Sequence, residues 1–110
     1  MEIVWLGHSS LRLRSNGITL ITDPYGDSLG FSMGNPKADI VVVSNDHPHH
    51  SHYDAVDGDP RVLKGPGEYE IDDFYISGMG TSLGEFRGDR QINTVFTILA
   101  EGLTLCHLGD

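Results

Sequence analysis

Four of the chain's six histidines fall within one six-residue window, at His47, His49, His50 and His52. Imidazole nitrogens are good ligands for zinc and similar borderline cations. A cluster this dense supplies several such nitrogens from one short segment. The chemistry it would serve is metal binding, and a bound divalent metal with an open position can make water a usable nucleophile near neutral pH. The competing reading is a polar, partly solvated loop that happens to be rich in histidine.

The elements that must position the cluster can be read from residue patterns. Residues 38–44 form the strongest strand in the chain, and the β-branched run Ile40-Val41-Val42-Val43 suits a strand buried on both faces. A sharp turn directly after it lets nearby side chains converge, whereas a straight strand sends alternate side chains to opposite faces. Upstream, residues 3–6, 11–14 and 18–22 read as an antiparallel meander, with Ser15-Asn16-Gly17 as its second turn. Residues 28–37 have no clear period and read as a loop. Downstream, residues 53–56 suit one helical turn, and 61–63 a short strand. Residues 68–71 and 74–77 form a hairpin across Asp72-Asp73. The glycine-rich, polar stretch 78–89 reads as a loop. Residues 94–99 and 103–108 form a last hairpin across Glu101-Gly102. No segment has the pattern of a long helix.

Composition narrows the classes of function. The chain has 110 residues, which predicts one domain. Its formal charge of −9 repels phosphate backbones, so nucleic acid is not an expected partner. The first residues lack the basic and apolar regions of a signal peptide, and no apolar run reaches membrane-spanning length, so no membrane partner is expected. The single cysteine, Cys106, cannot form an internal disulfide, which suits the cytoplasm. It lies in the apolar run 103–106 and is expected to be a small buried residue.

Ordered stretches along nearly the whole chain resemble the metallo-β-lactamase-fold superfamily. They are Trp5-Leu6-Gly7-His8-Ser9-Ser10, Leu20-Ile21-Thr22-Asp23-Pro24-Tyr25, Lys64-Gly65-Pro66-Gly67-Glu68-Tyr69-Glu70 and Cys106-His107-Leu108-Gly109-Asp110. The chain is most similar to the small zinc-dependent hydrolases that include the ascorbate-6-phosphate lactonase-like branch. That family carries an H-x-H-x-D-H motif directly after a buried strand. Two registers fit. In the first, Asn45-Asp46-His47-Pro48-His49-His50 fills the motif, with Asn45 in place of the first histidine and His49 in place of the aspartate. In the second, His50-Ser51-His52-Tyr53-Asp54-Ala55 fills it and loses only the last histidine. The second matches more letters. The first sits at the end of the strand, where the family has it, and is favoured.

The resemblance implies a site as well as a fold. Its fold is an α/β, αββα sandwich, of which this chain would be the N-terminal half, predominantly β, as one partial domain over 1–110. Its implied metal ligands are Asn45, His47, His49, His50 and Asp110, with Asp110 and His49 as catalytic candidates. His8 and Asp23 would lie behind them, Asp23 orienting a ligand imidazole through its other ring N–H. Another family ligand is a histidine, and Leu83 stands near its place. The expectation is therefore at most one zinc or manganese per chain. The implied activity is hydrolysis of a small ester, lactone or phosphoester by metal-bound hydroxide. The alternatives are a degenerate relative with a binding or structural role, and an unrelated acidic β-rich interaction module. A half sandwich would also leave apolar strands such as 40–43 uncovered, so a homo-oligomer or a missing C-terminal half is expected to complete it.

Overall fold

Asn16 and Gly17 adopt φ of 51° and 79°, the left-handed backbone that a two-residue hairpin turn requires. They join β2 (Ser10–Ser15) to β3 (Ile18–Thr22), which pair antiparallel with Ser15 opposite Ile18. β1 (Glu2–Gly7) pairs along the other edge of β2. β4 (Ile40–Val43) then adds parallel to β3, and β5 (Arg61–Lys64) parallel to β4. The second crossover carries the one-turn helix α1 (Pro48–Ser51) and a 3-10 turn at Tyr53–Ala55. The computed structural model describes residues 1–26, 33–86 and 89–110, with positions 48, 83–86 and 89–91 described by their backbone alone.

A second sheet follows. β6 (Gly67–Ile71), β7 (Phe74–Phe86), β8 (Asp89–Ala100) and β9 (Leu103–His107) pair antiparallel in chain order. The sheets pack face to face. Leu13, Leu20, Ile40, Val42 and Leu63 from the first meet Ile71, Phe74, Ile76, Phe96 and Ile98 from the second. Side chains alternate along a strand, so Ile21, Val41 and Val43 point the other way. There Ala38 and Val56, with Met33 and Tyr53, pack over them.

Three expectations are corrected. Residues 78–86 and 89 do not form a loop, and 87–88 lie outside the described residues. β7 and β8 stay paired out to Phe86 opposite Asp89, with a register shift between Ser82 and Gly84. Gly78 and Gly80 serve close approach rather than turning: a Cβ on Gly78 would meet the Phe96 ring and the Gly65 carbonyl at 3.0 and 3.1 Å, and one on Gly80 would meet the Pro66 ring at 3.1 Å. Strand 40–43 is not left uncovered, because residues of both crossovers lie over its outer side and none of its four residues is more than 2% exposed. The uncovered apolar face belongs instead to the second sheet, where Tyr75, Met79 and Leu99 are 53%, 65% and 39% exposed. Cys106 is exposed rather than buried. It alternates with Leu105 and the buried His107 and so falls on the outer side of β9.

Among the described residues no helix is long and apolar enough to cross a membrane.

Candidate metal centre

Asp23 ends β3 at φ 39°, fully buried, and its backbone N–H donates to the Val42 carbonyl at 2.9 Å. Its carboxylate accepts hydrogen bonds from the Ser44 backbone N–H (2.7 Å), the Ser44 hydroxyl and His50 Nδ1 (2.8 Å). The ends of β3 and β4 are thereby tied together directly before the histidine cluster.

The same contact sets the chemistry of His50. An ionised carboxylate only accepts, so neutral His50 carries its proton on Nδ1 and leaves a lone pair on Nε2. Nε2 faces Asp110 Oδ2 at 3.9 Å. The hydrogen bond to Asp23, helped by the Asp23 and Asp110 charges and opposed by desolvation, raises the His50 pKa above the usual imidazole value. The Ser9 hydroxyl lies 3.0 Å from the same Nδ1.

His47 behaves differently. It is the N-cap of α1, and its Nδ1 accepts from the His49 backbone N–H at 3.1 Å. In neutral His47 the proton is therefore on Nε2. Asn45 Oδ1 accepts from the His47 backbone N–H at 3.0 Å, and its Nδ2 donates to the Ser44 hydroxyl. The Asn45 oxygen and the His47 Nδ1 lone pair are thus committed to shaping the loop.

Four imidazoles are brought together. His47 and His49 have ring centroids 4.5 Å apart, His8 and His50 5.2 Å, His8 and His49 5.5 Å, and His47 and His50 6.3 Å. Desolvation, then the neighbouring His47, His8 and His50 rings, lowers the His49 pKa. His52 is apart from this group. Its ring lies against Gly26, and with Asp54 it lines a separate cavity of about 420 Å³. The His47 and His49 rings of the first register stand in one cluster with His50, while His52 and Asp54 of the second line the separate cavity. The side chain of Leu83 lies outside the described residues.

Asp110 is about half exposed, with 54% of its side chain accessible. Its position comes from Asn93, a buried residue that sequence reasoning passed over. Asn93 Oδ1 accepts from the Asp110 backbone N–H (3.0 Å), and Nδ2 donates to the Leu108 carbonyl (2.8 Å). Between them Gly109 sits at φ 75°, where a Cβ would come within 2.7 Å of Ser44 Cβ. Ser9 and His107 were also missed as positioning groups. His107 Nε2–H donates to the Ser9 carbonyl at 2.8 Å and holds the β1–β2 turn. Nothing local marks Asn93 or Ser9 as special, since each acts on a partner distant in sequence.

Among the described residues no three His, Cys, Asp or Glu side chains are already drawn together as a metal site. The donor types still suit a borderline cation. A buried imidazole backed by a carboxylate on its inner nitrogen is the arrangement metal-binding histidines use, and the half-exposed Asp110 carboxylate lies 3.9 Å from its outer nitrogen. Further imidazoles stand beside it.

Residues 2–110 match the family described as "Beta-lactamase superfamily domain". A metal-dependent hydrolase of Methanopyrus kandleri is 33% identical over 115 residues, covering 96% of this chain and 44% of that protein. Another, of Methylocella silvestris, is 30% identical over 90 residues, covering 73% of this chain and 36% of that protein. The chain thus spans less than half the length of these curated relatives. Among solved structures it is similar to a Thermotoga maritima protein described as a candidate Zn-dependent hydrolase of the metallo-β-lactamase superfamily. The TM-score is 0.75 at 35% identity, over 98% of this chain and 48% of that one. A candidate metal-dependent hydrolase of Parabacteroides distasonis shares the fold, with a TM-score of 0.72 at 21% identity over 98% of this chain and 60% of that one.

Proposed function

This chain belongs to the metallo-β-lactamase superfamily, and from that membership we propose that it carries the metal-site half of a hydrolase acting on a small ester, lactone or phosphoester. The observation that carries the reading is the buried Asp23–His50 pair, with His50 Nε2 turned toward Asp110 and away from the carboxylate that fixes its other nitrogen. The metal is zinc or manganese, at most one per chain, and the small-molecule substrate would meet it at the open side of Asp110. A placement near the ascorbate-6-phosphate lactonase-like branch is part of this reading, as is the cytoplasm, on the strength of a single unpaired cysteine.

When bound, such a metal supplies polarisation of the scissile group and a hydrolytic nucleophile near neutral pH. The chain's own residues do the rest. His50 Nε2, His49 and Asp110 would hold the ion. Asp23 keeps the His50 proton on Nδ1. His49, its pKa lowered, stays neutral near pH 7 and is free to accept a proton or a metal bond. Asp110, half exposed, is the carboxylate best placed to steer an attacking water.

A second reading is a relative that has lost its metal and keeps a binding role. It is favoured by the commitment of Asn45 Oδ1 and His47 Nδ1 to the loop. Elemental analysis after exhaustive dialysis, with and without chelator, separates the two. We expect one tight equivalent and chelator-sensitive turnover of at least one compound in a panel of lactones, esters and phosphoesters. No tight equivalent selects the second reading, and two tight equivalents overturn the single-site assignment.

A further inference from the structure

The two histidine pairs that include His8 are spaced as two imidazoles on one ion would be. Two imidazoles on one tetrahedral zinc, with Zn–N bonds of about 2.0–2.1 Å, place their ring centroids roughly 5 Å apart. His8 stands 5.2 Å from His50 and 5.5 Å from His49, and it is the ring common to both pairs. His47 stands 6.3 Å from His50, and its Nδ1 lone pair is spent on the helix cap.

His8 is also held in place at a conformational cost. It sits in the β1–β2 turn at φ 50°, a backbone region where Gly or Asn would be less strained. Strained residues of this kind persist where the surroundings over-determine them. Here the turn is pinned on both sides of His8. The Tyr25 hydroxyl donates to the Leu6 carbonyl, and both His107 Nε2–H and the Thr22 hydroxyl donate to the Ser9 carbonyl. The Ser9 hydroxyl reaches His50 itself. The turn is therefore fixed relative to His50, and His8 is exposed to ions in solution.

We propose that His8 is a direct metal ligand, joining His49 and His50 from a separate element, so that the ion is held by three imidazoles rather than by the strand-end motif alone. This rests on the metal-site reading above and deepens it. His8 would supply the imidazole that Leu83, which cannot bind a metal, does not.

The test is titration of the full chain with zinc by calorimetry and with cobalt(II) by visible absorption. The variants are His8→Asn and His8→Gly, both of which tolerate positive φ, with His52→Asn as control. Far-UV circular dichroism checks the fold. Both His8 variants are expected to bind zinc at least tenfold more weakly and to change the cobalt spectrum, while His52→Asn leaves both as in the wild type. A further readout needs no variant: zinc should move the ring ¹⁵N resonances of His8 in the wild-type chain. His8 variants with unchanged affinity and spectrum, or an unmoved His8 resonance in a zinc-loaded wild type, overturn this assignment but leave a metal site standing. A wild type that takes up neither ion overturns both.

Discussion

Asp23 is the residue on which the candidate site depends most. A buried carboxylate that accepts three hydrogen bonds cannot be replaced by an amide without conflict. In Asp23→Asn one oxygen still accepts from Ser44, but the NH₂ group would face the His50 Nδ1–H, donor against donor. Turning the amide over moves the same conflict to the Ser44 N–H. We expect Asp23→Asn to lose roughly 1–3 kcal/mol of stability, the cost of a buried polar group left unsatisfied, measured by urea denaturation. We also expect His50 to move its proton to Nε2, visible in its ring ¹⁵N shifts. That removes the lone pair directed at Asp110. An unchanged tautomer would show that Asp23 does not govern His50.

At the scale of elements, the turn after β9 decides where Asp110 goes. Gly109 and Gly102 share nearly the same φ, 75° and 74°, but a Cβ on Gly102 meets nothing within 4 Å while one on Gly109 runs into Ser44 and Asn93. The two make a matched pair. Gly102→Ala should cost only the left-handed backbone strain, about 1–2 kcal/mol. Gly109→Ala should cost more, because the Asn93 clamp must open, and it should displace Asp110 from His50. Denaturant midpoints of both variants, with metal affinity alongside, check this; equal losses at the two positions would mean that the clamp contributes nothing. The elements themselves were legible where neighbouring residues decide them. Asn16-Gly17 specifies its own hairpin turn, and the β-branched run at 40–43 specifies a doubly buried strand. The continuation of β7 through 78–86 was not legible, because glycines at a close approach and glycines in a turn look alike in sequence.

At the scale of the whole molecule, the described residues leave an apolar face open on the second sheet. Tyr75, Met79 and Leu99 stand on the outer side of the second sheet, and fully burying such side chains is worth about 1.5–3 kcal/mol each. Monomers rarely leave a large patch of this kind to water. The chain alone is therefore expected to bind an apolar-surface dye and to associate in sedimentation. Leu99→Lys should reduce both with little change in unfolding midpoint, since Leu99 lies outside the inter-sheet core. A compact monomer that binds no dye would show that this face needs no cover.

What the sequence determined by itself was set by neighbours along the chain. Left-handed turn residues, β-branched runs and period-two alternation act over a few positions, so most strands, their hairpins and the histidine-rich segment were readable. The resemblance carried by the ordered motifs led to the superfamily. Only the tertiary structure decided which side of each outer strand is covered, which exposed Cys106, and which residues cover the strand at 40–43. It also decided which histidines share a site. His50 is oriented by Asp23, 27 positions away, and by Ser9, 41 away, while Ser9 is held by His107, 98 away. Hydrogen-bond geometry between such distant partners is a product of sheet packing, and no pattern of adjacent residues encodes it.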